Sequence, residues 1–136
     1  MACPYFYPVE PFDGEPWVRA PRLPLGDAYR GTCHAASDTV IEPDEPTQRS
    51  LCNVGYGRAA CPRFPLDAEA DAVRFSVAPS GGNQTMLCIL EKDYAPLSHS
   101  SFECRDGNAA GDFPNDVVRR QAAAFAYSYE RRRTRP

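Results

Sequence analysis

Residues 3–6 read Cys-Pro-Tyr-Phe, and the pattern returns at residues 61–64 as Cys-Pro-Arg-Phe. These two segments bracket a part of the chain that also contains Cys33 and Cys52. Ten of the chain's 14 prolines lie in residues 1–65. Because proline has no amide donor and interrupts helical periodicity, long helices and central strands are not expected there.

The same half of the chain is rich in aromatic side chains, which disordered linkers lack. The aromatic residues are Tyr5, Phe6, Tyr7, Phe12, Trp17, Tyr29, Tyr56 and Phe64. A segment with little regular structure but many aromatics needs another source of order. We therefore expect residues 1–66 to be an irregular region that wraps around a centre ligated by cysteines.

Residues 67–136 show the patterns of an antiparallel sheet and a helix. Apolar and polar residues alternate in the first predicted strand, and the second is apolar on both faces, as in a central strand. The predicted strands are residues 73–77, 86–92 and 100–104, with a turn centred on Pro96 and a loop at residues 105–111. Together they form a three-stranded antiparallel meander.

A turn at Pro96 sets the register of the second and third strands. Cys88 then lies opposite Cys104, and Leu90 opposite Phe102. The first interpretation of this pair is that both are free thiols buried on the core face of the sheet, since free cysteine is among the most buried residue types. A cross-strand disulfide and a reactive thiol pair are the alternatives.

Pro114, Asn115 and Asp116 provide capping chemistry for a helix over residues 116–132. Its apolar stripe consists of Val118, Ala122, Phe125 and Tyr129. The sequence therefore predicts an α+β fold in one domain, residues 1–136. In it the irregular half precedes a three-stranded antiparallel sheet, which the C-terminal helix covers.

The chain has 6 cysteines, and four of them, Cys3, Cys33, Cys52 and Cys61, lie in the proline-rich half. A disulfide framework is one explanation, but the chain shows no secretory leader and has apolar residues enough for an ordinary core. A structural zinc site is another, although its ligands usually come in close C-x2–4-C pairs, which are missing here.

An iron–sulfur cluster is the third explanation and the one that the residues favour. A cluster is several ångströms across and takes ligands from separated loops, and Cys3 and Cys61 each precede a proline, as does the last cysteine of the bacterial ferredoxin pattern. Asn53, Gly55 and Gly57 would let backbone amides approach the sulfurs closely. The sequence predicts a [4Fe–4S] cluster held by the four cysteines of the N-terminal half.

This cluster predicts electron transfer, or an accessory role on a larger redox protein or complex. The alternative is a protein-interaction module that docks through its arginine-rich C-terminal helix. Its N-terminal half would be held together by zinc or would contain no metal. The contacts for an acidic partner would be Arg119, Arg120, Arg131, Arg132, Arg133 and Arg135. No acid–base or nucleophile constellation indicates an enzyme, which leaves enzymatic activity undecided.

Charge and hydropathy restrict the other classes of function. The net charge of −3 argues against a broad nucleic-acid-binding surface. No apolar run approaches the roughly 18–20 residues that a membrane span needs. Because the start lacks a secretory signal, we expect a cytoplasmic protein.

Overall fold

The computed structural model describes residues 2–11, 25, 28–36, 39–57, 60–77, 85–105 and 108–134. This part of the chain contains two antiparallel sheets and a long C-terminal helix, so the predicted α+β class is confirmed. The elements are β1 (Phe6–Pro11), β2 (Tyr29–Ala36), β3 (Thr39–Ile41), α1 (Glu45–Thr47), β4 (Ala72–Val77), β5 (Thr85–Lys92), β6 (Ala95–Arg105), β7 (Asn108–Gly111) and α2 (Asp116–Thr134). A π-helical segment, Gln48–Cys52, directly follows α1.

The N-terminal half contains a three-stranded sheet, in the order β1-β2-β3, so the expectation of an irregular region is wrong. Three of its described prolines lie where no amide donor is needed. Pro8 and Pro11 belong to β1, which is an edge strand, and edge strands tolerate proline. Pro46 lies in the first turn of α1, where an amide has no partner within the helix.

Two side-chain amides extend this sheet beyond the end of β3. On β2, Cys33 pairs with Ile41 of β3. Further along the strand, the Gly31 N–H donates to Gln48 Oε1 at 2.9 Å, and the Tyr29 N–H donates to Asn53 Oδ1 at 2.9 Å. Because alternate residues of a strand direct their amides to the same side, these two side chains occupy the edge that β3 leaves open.

Asn53 makes two further hydrogen bonds from its buried position. Its Nδ2 donates to the carbonyl oxygens of Tyr29, at 2.9 Å, and Gln48, at 2.7 Å. Gln48 Nε2 donates to the carbonyl oxygen of Pro43 at 2.5 Å. We call Gln48 and Asn53 the amide bracket, since together they fasten the π-helical segment to β2.

The second sheet has the order β4-β5-β6-β7. Its first three strands are those that the sequence predicts, extended by a few residues. The fourth strand, β7, lies in the residues predicted as a loop, and it pairs with the end of β6. The sheet of residues 67–136 is therefore four-stranded rather than three-stranded.

The turn between β5 and β6 lies at Asp93 and Tyr94, not at Pro96. Both residues have positive φ, 52° and 64°, and a two-residue turn of this kind matches the twist of the strands that it joins. As a result Cys88 pairs with Ser100, and the predicted Cys88–Cys104 register is wrong. The predicted opposition of Leu90 and Phe102 is wrong as well, because Leu90 pairs with Ser98 and Phe102 with Met86.

Helix α2 begins where the sequence predicts and continues to Thr134. The N–H of Val118 donates to Asn115 Oδ1 at 2.9 Å, which caps the first turn. Val118 and Ala122 are buried, and Phe125 and Tyr129 pack against the core, as expected of the predicted stripe.

One hydrophobic core connects the two sheets and the helix. Its larger members are Phe6, Leu25, Tyr29, Val73, Phe75, Met86, Phe102 and Val118. The buried Tyr29 hydroxyl donates to the carbonyl oxygen of Ala124 at 2.8 Å and lies 2.6 Å from Ser128 Oγ. The first sheet is thereby joined to α2 by polar as well as apolar contacts.

The amide bracket generates a prediction about stability. Asn53→Ala removes three buried hydrogen bonds and leaves the groups that they satisfied without partners, so we expect the free energy of unfolding to fall by about 3 kcal/mol. The measurement is urea unfolding of the metal-free protein. Arg49→Gln, on the same segment, is the control, because its exposed ion pair with Glu45 contributes little. Equal unfolding midpoints for the two variants would contradict the role of the bracket.

Candidate metal centre

The four cysteines of the N-terminal half line one pocket. Cys3 precedes β1, Cys33 lies in β2, Cys52 ends the π-helical segment, and Cys61 follows a tight turn. The other lining residues are Phe6, Pro43, Thr47, Leu51, Gly57 and Arg63. The same four cysteines that the sequence singles out as ligands therefore line one pocket, and they come from four separate segments.

Backbone hydrogen bonds hold Cys3 next to Cys52. The Cys3 N–H donates to the carbonyl oxygen of Cys52 at 3.0 Å. The preceding residue, Ala2, exchanges two backbone hydrogen bonds of 2.7 Å with Val73 of β4. Gln121 of α2 donates to the Cys3 carbonyl oxygen at 2.7 Å. The first cysteine is thus attached to the second sheet, to the helix and to another cysteine segment.

The loop between Cys52 and Cys61 reverses through residues with left-handed backbone conformation. Gly55 has a φ of 83° and Tyr56 a φ of 56°. The Cys61 N–H then donates to the carbonyl oxygen of Gly57 at 2.6 Å. A Cβ atom at Gly57 would lie 3.3 Å from the Cys61 Cβ, so glycine allows this close approach. The sequence predicts that Asn53, Gly55 and Gly57 let backbone amides approach the sulfurs. Of these, Gly57 lines the pocket, whereas Asn53 belongs to the amide bracket.

Burial makes two of the pocket's thiols, those of Cys3 and Cys52, resist ionisation. It raises the pKa of Cys3 from 9.0 to about 12, and that of Cys52 to about 12 as well. Repulsion from the other thiols of the pocket contributes to both shifts: Cys33 and Cys61 act on Cys3, and all three act on Cys52. Four thiolates in this pocket therefore need a positive charge between them, which a bound metal supplies.

Two backbone amides oppose this shift at Cys3. The backbone N–H groups of Tyr5 and Phe6 lower the pKa of Cys3, although burial has the larger effect, and the Phe6 N–H donates to the Cys3 carbonyl oxygen at 3.1 Å. Both residues follow Pro4, which itself has no amide donor, so the two N–H groups that act on Cys3 come directly after the Cys-Pro step. Amides in this position are the usual partners of thiolates that hold iron–sulfur clusters.

Among the described side chains, one further cysteine, Cys88, lies outside the pocket. Cys88 is buried in the core of the second sheet, and burial alone raises its pKa to about 12. Cys104 lies in β6, where it pairs with Ala109 of β7. The five cysteines whose side chains are described, Cys3, Cys33, Cys52, Cys61 and Cys88, are free thiols.

The pocket also contains Arg63, which the sequence reasoning did not single out. It lies two residues after Cys61 in the repeated Cys-Pro-x-Phe pattern, and this position could have indicated it. His34, which follows Cys33, does not line the pocket. Its ring stacks on Tyr7 with centroids 5.1 Å apart, and its Nε2 lies 3.0 Å from Thr32 Oγ1.

The arginines predicted to contact an acidic partner differ in their surroundings. Arg120 donates to the carbonyl oxygens of Pro8 and Val9, both at 2.7 Å, so it binds β1 within the chain. The guanidinium of Arg119 lies 5.3 Å from the centre of the Phe113 ring. Arg131, Arg132 and Arg133 lie in the last turns of α2, and Arg135 lies outside the described residues.

Comparisons with protein-family models, with curated proteins and with solved structures give no match to this chain. Within the described ranges, no three His, Cys, Asp or Glu side chains gather tightly enough to form a site for a metal ion. No helix in the same ranges is long and apolar enough to cross a membrane. The function is therefore argued from the pocket itself.

The raised thiol pKa values generate a prediction for the metal-free protein. Between about pH 9 and 12, Cys3, Cys52 and Cys88 keep their protons in the folded state, whereas the same thiols of the unfolded chain lose theirs. Because the folded state then binds more protons, stability falls as pH rises through this window. The measurement is chemical unfolding under reducing, anaerobic conditions at a series of pH values.

Tyr56→Phe is the control for this experiment. Burial, with a hydrogen bond to Glu91, raises the pKa of Tyr56 to about 12, so this phenol contributes to the same loss of stability. The loss that persists in Tyr56→Phe belongs to the other groups, and Cys88→Ala should then reduce it further. A free energy of unfolding that stays constant from about pH 8 to 11 would show that the thiols are not held protonated.

Proposed function

We propose that this chain is a small iron–sulfur protein that acts in electron transfer, alone or as an accessory subunit of a larger redox complex. Cys3, Cys33, Cys52 and Cys61 hold one cluster, most simply [4Fe–4S]. The observation that carries the proposal is the shared pocket, which these four thiols line and from which Cys88 is absent. Four cysteine ligands are the usual set for such a cluster.

The spacing of the ligands favours a cluster over zinc. A zinc ion needs all four sulfurs at about 2.3 Å from one point, and structural zinc sites obtain this from closely spaced pairs of cysteines. Here the thiols come from four separate segments and line the wall of a common pocket. A cluster several ångströms across suits ligands that surround a space rather than a point.

The surroundings of the pocket suit a redox centre. Phe6, Leu51 and Pro43 cover it with apolar surface, which limits the access of water, and the amides of Tyr5 and Phe6 lower the pKa of one ligand, Cys3. Solvent exposure and hydrogen bonds to sulfur are two of the factors that set cluster potentials. A cluster with four cysteine ligands has no open iron for a substrate, so transfer of electrons is the function it supports best.

The charge distribution supports a partner protein with a basic surface. Residues 1–116, which include the whole pocket, carry nine basic and 17 acidic side chains. An acidic body attracts a basic redox partner and orients it during encounter. The partner proposed here is a larger redox protein or complex.

Ligand substitutions test the assignment. Cys52→Ser and Cys61→Ser should lose the cluster, and the first sheet should lose stability with it, because the free energy of metal binding contributes to folding. Cys88→Ala is the matched control, since it removes a buried thiol outside the pocket and should keep full iron content at a cost of about 1–2 kcal/mol of stability. Full iron content in either serine variant, or loss of iron in Cys88→Ala, would show that the ligands are assigned wrongly.

The identity of the metal is tested on protein purified without oxygen. We expect a brown protein with about four irons and four sulfides per chain, whose absorption near 400 nm is bleached by dithionite. Iron, sulfide and zinc are assayed on the same sample. A colourless protein with one zinc would overturn the redox function. It would instead favour an interaction module whose N-terminal half is held together by a structural zinc ion.

A further inference from the structure

Arg63 is the charged residue among the described residues that line the cysteine pocket. The residue is exposed although it lines the pocket, and an arginine in such a position commonly buries its aliphatic stem and keeps its guanidinium in water. The other lining side chains are thiols, apolar groups and the Thr47 hydroxyl. Among the described lining residues, any positive charge at the wall of the pocket therefore comes from this arginine.

Arg63 lies two residues after Cys61 and lines the same pocket as Cys52, and two electrostatic effects agree with this position. Arg63 lowers the pKa of Cys52, opposing the larger effect of burial, and it contributes to lowering the pKa of Asp44. Its charge thus lies within range of a ligand on one side and of the segment next to Pro43 on the other. An arginine keeps this charge at every pH at which the protein is folded.

We propose that Arg63 sets the reduction potential of the cluster, an inference that rests on the proposed function. Reduction of [4Fe–4S] from the 2+ to the 1+ state takes one electron from a reduced redox protein, or from dithionite in the assay. It adds one negative charge inside the pocket, and no bond to a ligand breaks. A fixed positive charge at the wall stabilises the reduced state more than the oxidised state and so raises the potential.

The test is a redox titration of the anaerobic protein, with Arg63→Gln compared with wild type. At the wild-type midpoint potential, the ratio of oxidised to reduced cluster should rise roughly threefold in the variant, as expected for loss of one solvent-screened charge. Arg63→Lys keeps the charge and should restore the wild-type midpoint. High salt should shrink the difference between Arg63→Gln and wild type, because it screens an exposed charge.

Arg49→Gln is the matched control. Arg49 is paired with Glu45 on the neighbouring helical turn and does not line the pocket, so its loss should leave the midpoint unchanged. Full iron content with an unchanged midpoint in Arg63→Gln would overturn the inference and leave the proposed function standing. Equal shifts in the glutamine and lysine variants would also overturn it, since the charge would then not be the cause. A wild-type protein without a cluster would overturn both.

Discussion

The side-chain amides of Gln48 and Asn53 act in place of a strand along one edge of β2, and the position of the candidate metal centre depends on them. β3 is only three residues long, so without the bracket the backbone groups of Tyr29 and Gly31 would be buried without partners. Unsatisfied buried groups are costly, so the bracket and the sheet require each other. Since the bracket lies at both ends of the π-helical segment, it also holds Cys52 close to β2, which carries Cys33.

The pocket that results is lined by four thiols, and the ionised forms of two of them, Cys3 and Cys52, are unfavourable. Burial and mutual repulsion keep Cys3 and Cys52 protonated in the metal-free protein, whereas a metal centre requires thiolates. Binding of the cluster would exchange protons for iron and join four segments that are otherwise linked by hydrogen bonds. Cys3 carries this connection further, because its backbone contacts Cys52 and Gln121, and its neighbour Ala2 pairs with Val73. A bound cofactor would thus stabilise the same arrangement as the hydrophobic core.

Sequence reasoning succeeded where a pattern reports directly on local structure. The alternation around Phe75, the apolar run of β5 and the Asn115 cap are local signals, and the structure contains the strands and the helix that they predict. It failed in the N-terminal half, because it treated every proline as a lost amide donor. Pro8 and Pro11 lie in an edge strand, and the side chains of Gln48, Asn53 and Arg120 satisfy the backbone groups of this sheet that no strand reaches. Such contacts join residues far apart in the sequence and leave no periodic signal.

The sequence by itself predicts a group of four cysteines in the proline-rich half, apart from the two in the predicted sheet, and these four line one pocket. It also determined the α+β class, because period-2 and helical patterns are properties of neighbouring residues. Only the tertiary structure decided the register of the β5–β6 hairpin, where the turn at Asp93 and Tyr94 prevents the pairing of Cys88 with Cys104. It also decided that Arg63 lines the cysteine pocket. The register depends on the positive φ of the two turn residues. The position of Arg63 depends on how separate segments of the chain pack together around the pocket.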